Sequence, residues 1–320
     1  MIADRVTIWG QGRTAGRSEV PLADSRRINQ LQNNERSLIL FRAIAVAHRY
    51  TQRAQAVSLV MSLVVASLGV VAKLAQPSLQ PAVSIIGALW AGAYAVVLAP
   101  LIGRHLRISA TLQEMLDTDL FGVPWNAVLV GERLSEDELS RLSRRFRGDD
   151  TRLRDYYLVA TVAAPYDVLF CLEQNLAWGS RVRRRFAAVL LGVIAVWCVV
   201  GVAVGLVTES TVGSLVGVWF VPSLGLLLSF SDTARAQILT TRDRTRVLGL
   251  LRAVMEEPSR AISDDEAFVV FARQVQDVLF VARRQQPRMP QWFFRLFHDD
   301  DLTDFRYKMQ ILEQRVGVHS

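Results

Sequence analysis

The stretch FAAVLLGVIAVWCVVGVAVGLVT, Phe186 to Thr208, contains no charged residue over 23 positions. As a helix rising ~1.5 Å per residue it is long enough to cross a ~30 Å hydrocarbon core. Working outward from it, three further charge-free stretches appear: Ser210 to Ser231, Ala54 to Ala72 and Leu74 to Gly103, of 22, 19 and 30 residues. Four transmembrane helices are predicted near 55–75, 82–103, 187–207 and 212–231. Short connections, Gln76 to Pro81 and Thr208 to Thr211, join them as two hairpins.

Over all 320 residues, 51% are hydrophobic and 21% charged, with a net charge of +7. This excludes a disordered chain. The only cysteines, Cys171 and Cys198, exclude a disulfide scaffold. The basic balance resolves by location. Residues 1–53 carry nine basic and four acidic groups, residues 104–185 thirteen and twelve, and residues 232–320 fourteen and thirteen. The larger polar regions are near neutral, so general nucleic-acid binding is not expected. Of 37 basic residues, 36 fall on one side of the spans, with Lys73 alone at a hairpin tip. The positive-inside rule makes that side cytosolic and places both termini there. Residues 1–53 have no early apolar core, so no signal peptide is expected.

The predicted organisation is all-α: a cytosolic arm and helix at 1–53, a hairpin at 54–103, a helical middle region at 104–185, a second hairpin at 186–231, and a helical C-terminal region at 232–320. Ile28, Leu31, Leu38, Phe41, Ile44 and His48 recur at helical spacing and predict one helix over 26–53 running into the first span. Residues 104–121 extend the second span and end before Pro124. Ser135 with Glu138 fits a capping box opening a helix to about Phe146; Ser263 with Glu266 fits another, opening a helix to about Arg284. Val159 to Arg185 is expected to be mostly helical, α-structure continues from the fourth span to about Met255, and a last helix covers 303–316.

No catalytic motif is present: no phosphate loop, no HExxH, no GxSxG. The four histidines and two cysteines lack ligand spacing, and Asp299 to Asp301 reads as a solvated acidic loop. Neither an enzyme, a metal site nor a cofactor is expected. The spans hold no acid or base at their centres, which argues against an ion-coupled transporter. Gly201-x3-Gly205 and Gly213-x3-Gly217 suit close helix contact, within one subunit or between subunits.

The segment Gln113-Glu114-Met115-Leu116-Asp117-Thr118-Asp119-Leu120-Phe121 followed by Pro124-Trp125-Asn126 resembles the motif after the second span of SMODS-associated four-transmembrane effectors. Further matching positions are Ile28 to Asn33, Tyr156-Tyr157, Cys171, Asn175, Trp178, Arg183-Arg184, Gln276-Asp277, Phe280, Arg283, Pro290 and Trp292 to Phe294. The resemblance spans about 26–315. The chain departs from it at Leu172-Glu173, where the family has Gln-Arg, at Gly179, where it has Asp, and at Tyr156, where it has Trp.

That resemblance implies a pore-forming effector of a bacterial CBASS anti-phage system. It would lie in the inner membrane as a homo-oligomer and would be opened, directly or through a partner, by a cyclic oligonucleotide from a neighbouring nucleotidyltransferase. The alternative is a membrane-anchored sensor or scaffold that recruits a separate effector. A nucleotide offers phosphates to arginine and bases to aromatic rings. The candidate ligand residues are therefore Arg144, Arg145, Arg181, Arg184, Arg283, Arg284, Tyr156, Trp178 and Trp292. The motif positions Gln113, Glu114, Asp117, Trp125, Asn126, Asn175, Gln276, Asp277 and Pro290 carry the family role.

Overall fold

The longest helices overshoot the membrane. Glu35–Ala75 runs for 41 residues, about 60 Å at helical rise, roughly twice the hydrocarbon thickness. A computed structural model describes residues 25–157, 164–256, 265–290, 292–293 and 296. In chain order its main helices are α1 (Ser25–Gln32), α2 (Glu35–Ala75), α3 (Gln80–Phe121), α4 (Glu136–Ser143), α5 (Tyr166–Ala177), α6 (Ser180–Val207), α7 (Val212–Glu256) and α8 (Asp265–Gln285). No strand occurs among the described residues. Helices α2, α3, α6 and α7 contain the four predicted spans and are long and apolar enough to cross a membrane.

Helices α2, α3 and α7 each have a membrane half and a half in a shared helical body, whereas α6 reaches that body only with its first turns from Ser180. The body has one core, built from Leu40 and Phe41 of α2, Leu112 and Leu116 of α3, Phe170 of α5, Leu251 of α7 and Phe268 and Leu279 of α8. The N-terminal, middle and C-terminal regions thus bury their apolar faces against one another.

The helix expected over 26–53 is interrupted at Asn33-Asn34. The Asn34 side chain accepts a hydrogen bond from the Ser37 N–H at 2.7 Å and starts α2 afresh, because asparagine caps a helix better than it continues one. The Ser135–Glu138 capping box is formed, and its helix stops at Ser143. Gly179 divides the helix expected over 159–185, adopting φ 71° between α5 and α6. The family's aspartate also tolerates this left-handed region, so the exchange is conformationally matched. Ser263, residues 158–163 and the helix expected over 303–316 lie outside the described residues.

Within the membrane half, α7 packs against α2, α3 and α6, while α6 packs chiefly on α7. Gly87 abuts the Pro222 backbone, Gly225 the Trp90 ring and Gly201 the Trp219 ring. Gly205 faces Leu215, so the Gly201–Gly205 pair serves contact within the chain; Gly192, Gly213 and Gly217 face open space. Span polar groups pair internally: Trp90 Nε1 donates to Ser62 Oγ and Trp197 Nε1 to Ser223 Oγ, both at 2.9 Å. A π turn interrupts α3 at Tyr94–Leu98 and α7 at Val216–Phe220, each within two residues of a proline, Pro100 or Pro222. Ser84 Oγ donates at 2.6 Å to Gly217 O in the second turn, satisfying backbone that lipid cannot.

Gly87→Ala should destabilise the fold by about 1–3 kcal/mol, as overpacking does, read as a lower thermal midpoint in detergent, because backbone rather than a movable side chain blocks the added methyl. Gly92→Ala, where the space is open, should leave it unchanged.

Candidate functional site

Below its span, α3 turns Glu114 and Asp117 inward, where both are buried. Asp117 accepts from Tyr157 Oη and Arg283 Nη1 at 2.6 Å and from Gln276 Nε2 at 3.0 Å. Glu114 accepts from Arg273 Nη2 at 2.6 Å and Gln276 Nε2 at 2.9 Å. Arg273 also reaches Asp277 and the Pro124 carbonyl, and Asn126 Nδ2 donates to Asp277. The motif after the second span and the block on α8 are therefore two halves of one polar lock, in which both carboxylates are paired while Gln276 Oε1 is left without a partner. Burial would lower the Arg283 pKa, but Asp117 and Tyr157 outweigh it and hold the guanidinium above its ordinary value.

Beside this lock lies a cavity of about 620 Å³, within the range that encloses small-molecule ligands. All four span-bearing helices contribute to its wall: His48 from α2, Asp117 from α3, Arg183 from α6 and Arg244 from α7, joined by Arg283 from α8 and Arg288 beyond it. Six arginines and two aspartates line it, leaving a formal charge of +4. Removal from water and the neighbouring Arg288 push Arg183 down to about 9. Removal from water and Arg283 push Arg288 down to about 10. Burial, then Arg183, Arg283 and Arg288, lower Arg244 as well. Guanidinium still stays protonated at neutral pH, so these charges repel one another across the cavity. Desolvation and the Arg288 and Arg283 charges depress His48, leaving a neutral ring that accepts from Arg288. Tyr156 presents an exposed ring (44%) supported by Phe41 at 5.1 Å and Tyr157 at 4.9 Å.

The cavity gathers Arg283, Tyr156, Trp178, Gln113, Asp117 and Asn175 from the sequence candidates. It does not gather Arg144 or Arg145, which are exposed on and after α4, Arg145 donating to Tyr50 Oη. Arg181 and Arg184 are exposed at the foot of α6. Arg284 lines a second cavity, of about 300 Å³, at the span boundary. Trp292 is 63% exposed and meets Phe293 edge-on, and Pro290 is half-buried. Trp125 Nε1 donates to Gly131 O while Arg133 stacks on its ring at 4.7 Å. Asn126 also caps the turn Ala127–Val130. Among the departures from the family pattern, Glu173 is buried and paired with Arg252 at 2.7 Å.

Arg244, His48, Arg183 and Arg288 were not among the candidate ligand residues, and Arg183 appeared only as a position matching the family pattern. One signal pointed to Arg244: Gln237, Thr240, Thr241 and Arg244 form a buried polar stripe at helical spacing below the fourth span.

A multi-span helical membrane protein with a basic cavity at the common root of its spans is the class these features define. Residues 26–312 match the SMODS-associating 4TM effector domain, and the chain belongs to that family. It is similar to a protein of Bacillus cereus (strain VD146) described as "Probable CBASS effector molecule", with 25% identity over 220 residues, 68% of this chain and 73% of that protein. No solved structure matches it.

Asp117→Ala should cost about 3–5 kcal/mol, since it strands Arg283 as an uncompensated buried charge. Thermal unfolding of the detergent-solubilised protein checks this, and the double variant Asp117→Ala with Arg283→Met should recover much of the loss.

Proposed function

We propose that this protein is the membrane effector of a CBASS anti-phage system. It sits in the bacterial inner membrane with both termini cytosolic, and it breaches that membrane as a homo-oligomer when a cyclic oligonucleotide occupies the basic cavity. The observation that carries this reading is the position of the cavity. Every span-bearing helix contributes to its wall, so a ligand that prefers one arrangement of those roots shifts the spans with them.

The rest of the molecule is compatible with that role. The Glu114 and Asp117 carboxylates are occupied by the polar lock and are not free for acid–base chemistry. No group of three His, Cys, Asp or Glu residues suited to a metal is found among the described residues. The spans of one copy close by direct packing, glycine on ring and glycine on proline, so a leak needs several copies. The outer face of α6 supplies a surface for bilayer or neighbour, with Val189, Val196, Val199 and Leu206 exposed. The arginine-rich ends of the spans support the cytosolic placement.

Expression together with the synthase of its own system should collapse the membrane potential, read by a potential-sensitive dye, as growth stops. Growth arrest with the potential intact would contradict a pore and favour a recruiting scaffold. Fluorescent-protein fusions at either terminus should both mature in the cytosol, whereas a periplasmic reporter fused at Ser78 should be active.

A further inference from the structure

The helical body pairs several of its inward-facing arginines with carboxylates. Arg283 is held by Asp117, Arg273 by Glu114 and Asp277, and Arg252 by Glu173. Arg183, Arg244 and Arg288 are exceptions, and all three line the same cavity. None has a carboxylate within ion-pair distance among the described residues, and each has an enclosed Nε with no hydrogen-bond partner. Arg244 is only 4% exposed, and its guanidinium has one long bond, Nη1 to Asn175 O at 3.5 Å. A buried guanidinium without an anion, as at Arg244, is costly, and with the half-buried Arg183 and Arg288 on the same wall it marks a place where the anion comes from outside the fold. The flat Tyr156 and Trp178 side chains on the same wall suit a base next to that anion. The chemistry recognised is a nucleotide bearing at least two phosphate charges.

Arg288 differs from the other two. Its guanidinium bonds His48 on α2 and Ser109 on α3. Its backbone N–H donates to Gln55 Oε1 at 3.0 Å, and the preceding Pro287 carbonyl accepts from Gln237 of α7 at 2.7 Å. Pro287 and Arg288 line both cavities, the basic one and the one at the span boundary. The segment after α8 thus straps α2, α3 and α7 together just below the membrane.

We propose that Arg183, Arg244 and Arg288 form the phosphate-binding subsite of the cavity, and that Arg288 enters it by giving up His48 and Ser109. This rests on the reading above that the cavity takes a nucleotide messenger. The bonds to His48 and Ser109 exist only with the strap closed, so they compete with the ligand. Removing them raises the fraction of protein able to bind.

The test is titration calorimetry and thermal unfolding of the full chain in nanodiscs, with cyclic di-GMP, cyclic tri-AMP and inorganic pyrophosphate as probes. Pyrophosphate and at least one nucleotide should bind. Arg183→Gln and Arg244→Gln should each weaken binding about tenfold or more, as loss of a charge-assisted bond does. The same two variants should melt no lower than the unaltered protein when empty, because each removes a repelled charge. His48→Ala and Ser109→Ala should bind severalfold more tightly, and Arg144→Gln should bind unchanged. Failure of all three probes, full affinity in Arg244→Gln, or weaker binding in both His48→Ala and Ser109→Ala would overturn the proposal. Binding as described without membrane leakage would sink the pore reading and leave the subsite standing. Leakage triggered equally in Arg244→Gln would do the reverse.

Discussion

One buried carboxylate organises this molecule. Asp117 accepts from Tyr157, Gln276 and Arg283, and so ties the root of the second span to the segment before α5 and to α8. Because α8 is fixed there, the chain leaving it passes beneath the spans and brings Arg288 to the cavity wall. Arg283 belongs to the wall as well, but its charge is already used by Asp117. The cavity is therefore built by a neutralised arginine, and Arg183, Arg244 and Arg288 supply most of its net charge. The motif carboxylates Glu114 and Asp117 frame the cavity through these pairings.

The membrane half obeys a different constraint. Lipid satisfies no backbone or side-chain polar group, and two span tryptophans, Trp90 and Trp197, pair with Ser62 and Ser223. Such bonds average only about 0.6 kcal/mol in a membrane, so close packing at Gly87, Gly201 and Gly225 carries the bundle's shape. The open faces at Gly192, Gly213 and Gly217 are where further copies or lipid meet it. Helices α2, α3 and α7 run through both halves without a break in the chain.

The spans could be read from the sequence because the absence of charge over about 20 residues has few other physical meanings. The Ser135 capping box, the end of α3 at Gly122 and the break before Pro287 were legible for the same reason, as each rests on neighbouring residues. The interruptions at Asn34 and Gly179 were missed because the apolar periodicity continues across them. The site depends on pairings between distant residues. Arg283 and Asp117 lie 166 positions apart, and nothing local distinguishes a neutralised arginine from a free one among 35. Arg244 sits in the charged run Arg242 to Arg246, which reads as solvated surface, yet on α7 its side chain points inward while Arg242 and Arg246 stay exposed.

The central claim is that occupancy of the basic cavity opens the membrane. Its most direct test is ion flux across liposomes holding only the purified chain, measured before and after adding the cyclic oligonucleotide made by the synthase of its own system. Tight liposomes should leak on addition and stay tight when Arg183 and Arg244 are both glutamine. Liposomes that bind the messenger and remain sealed would contradict it.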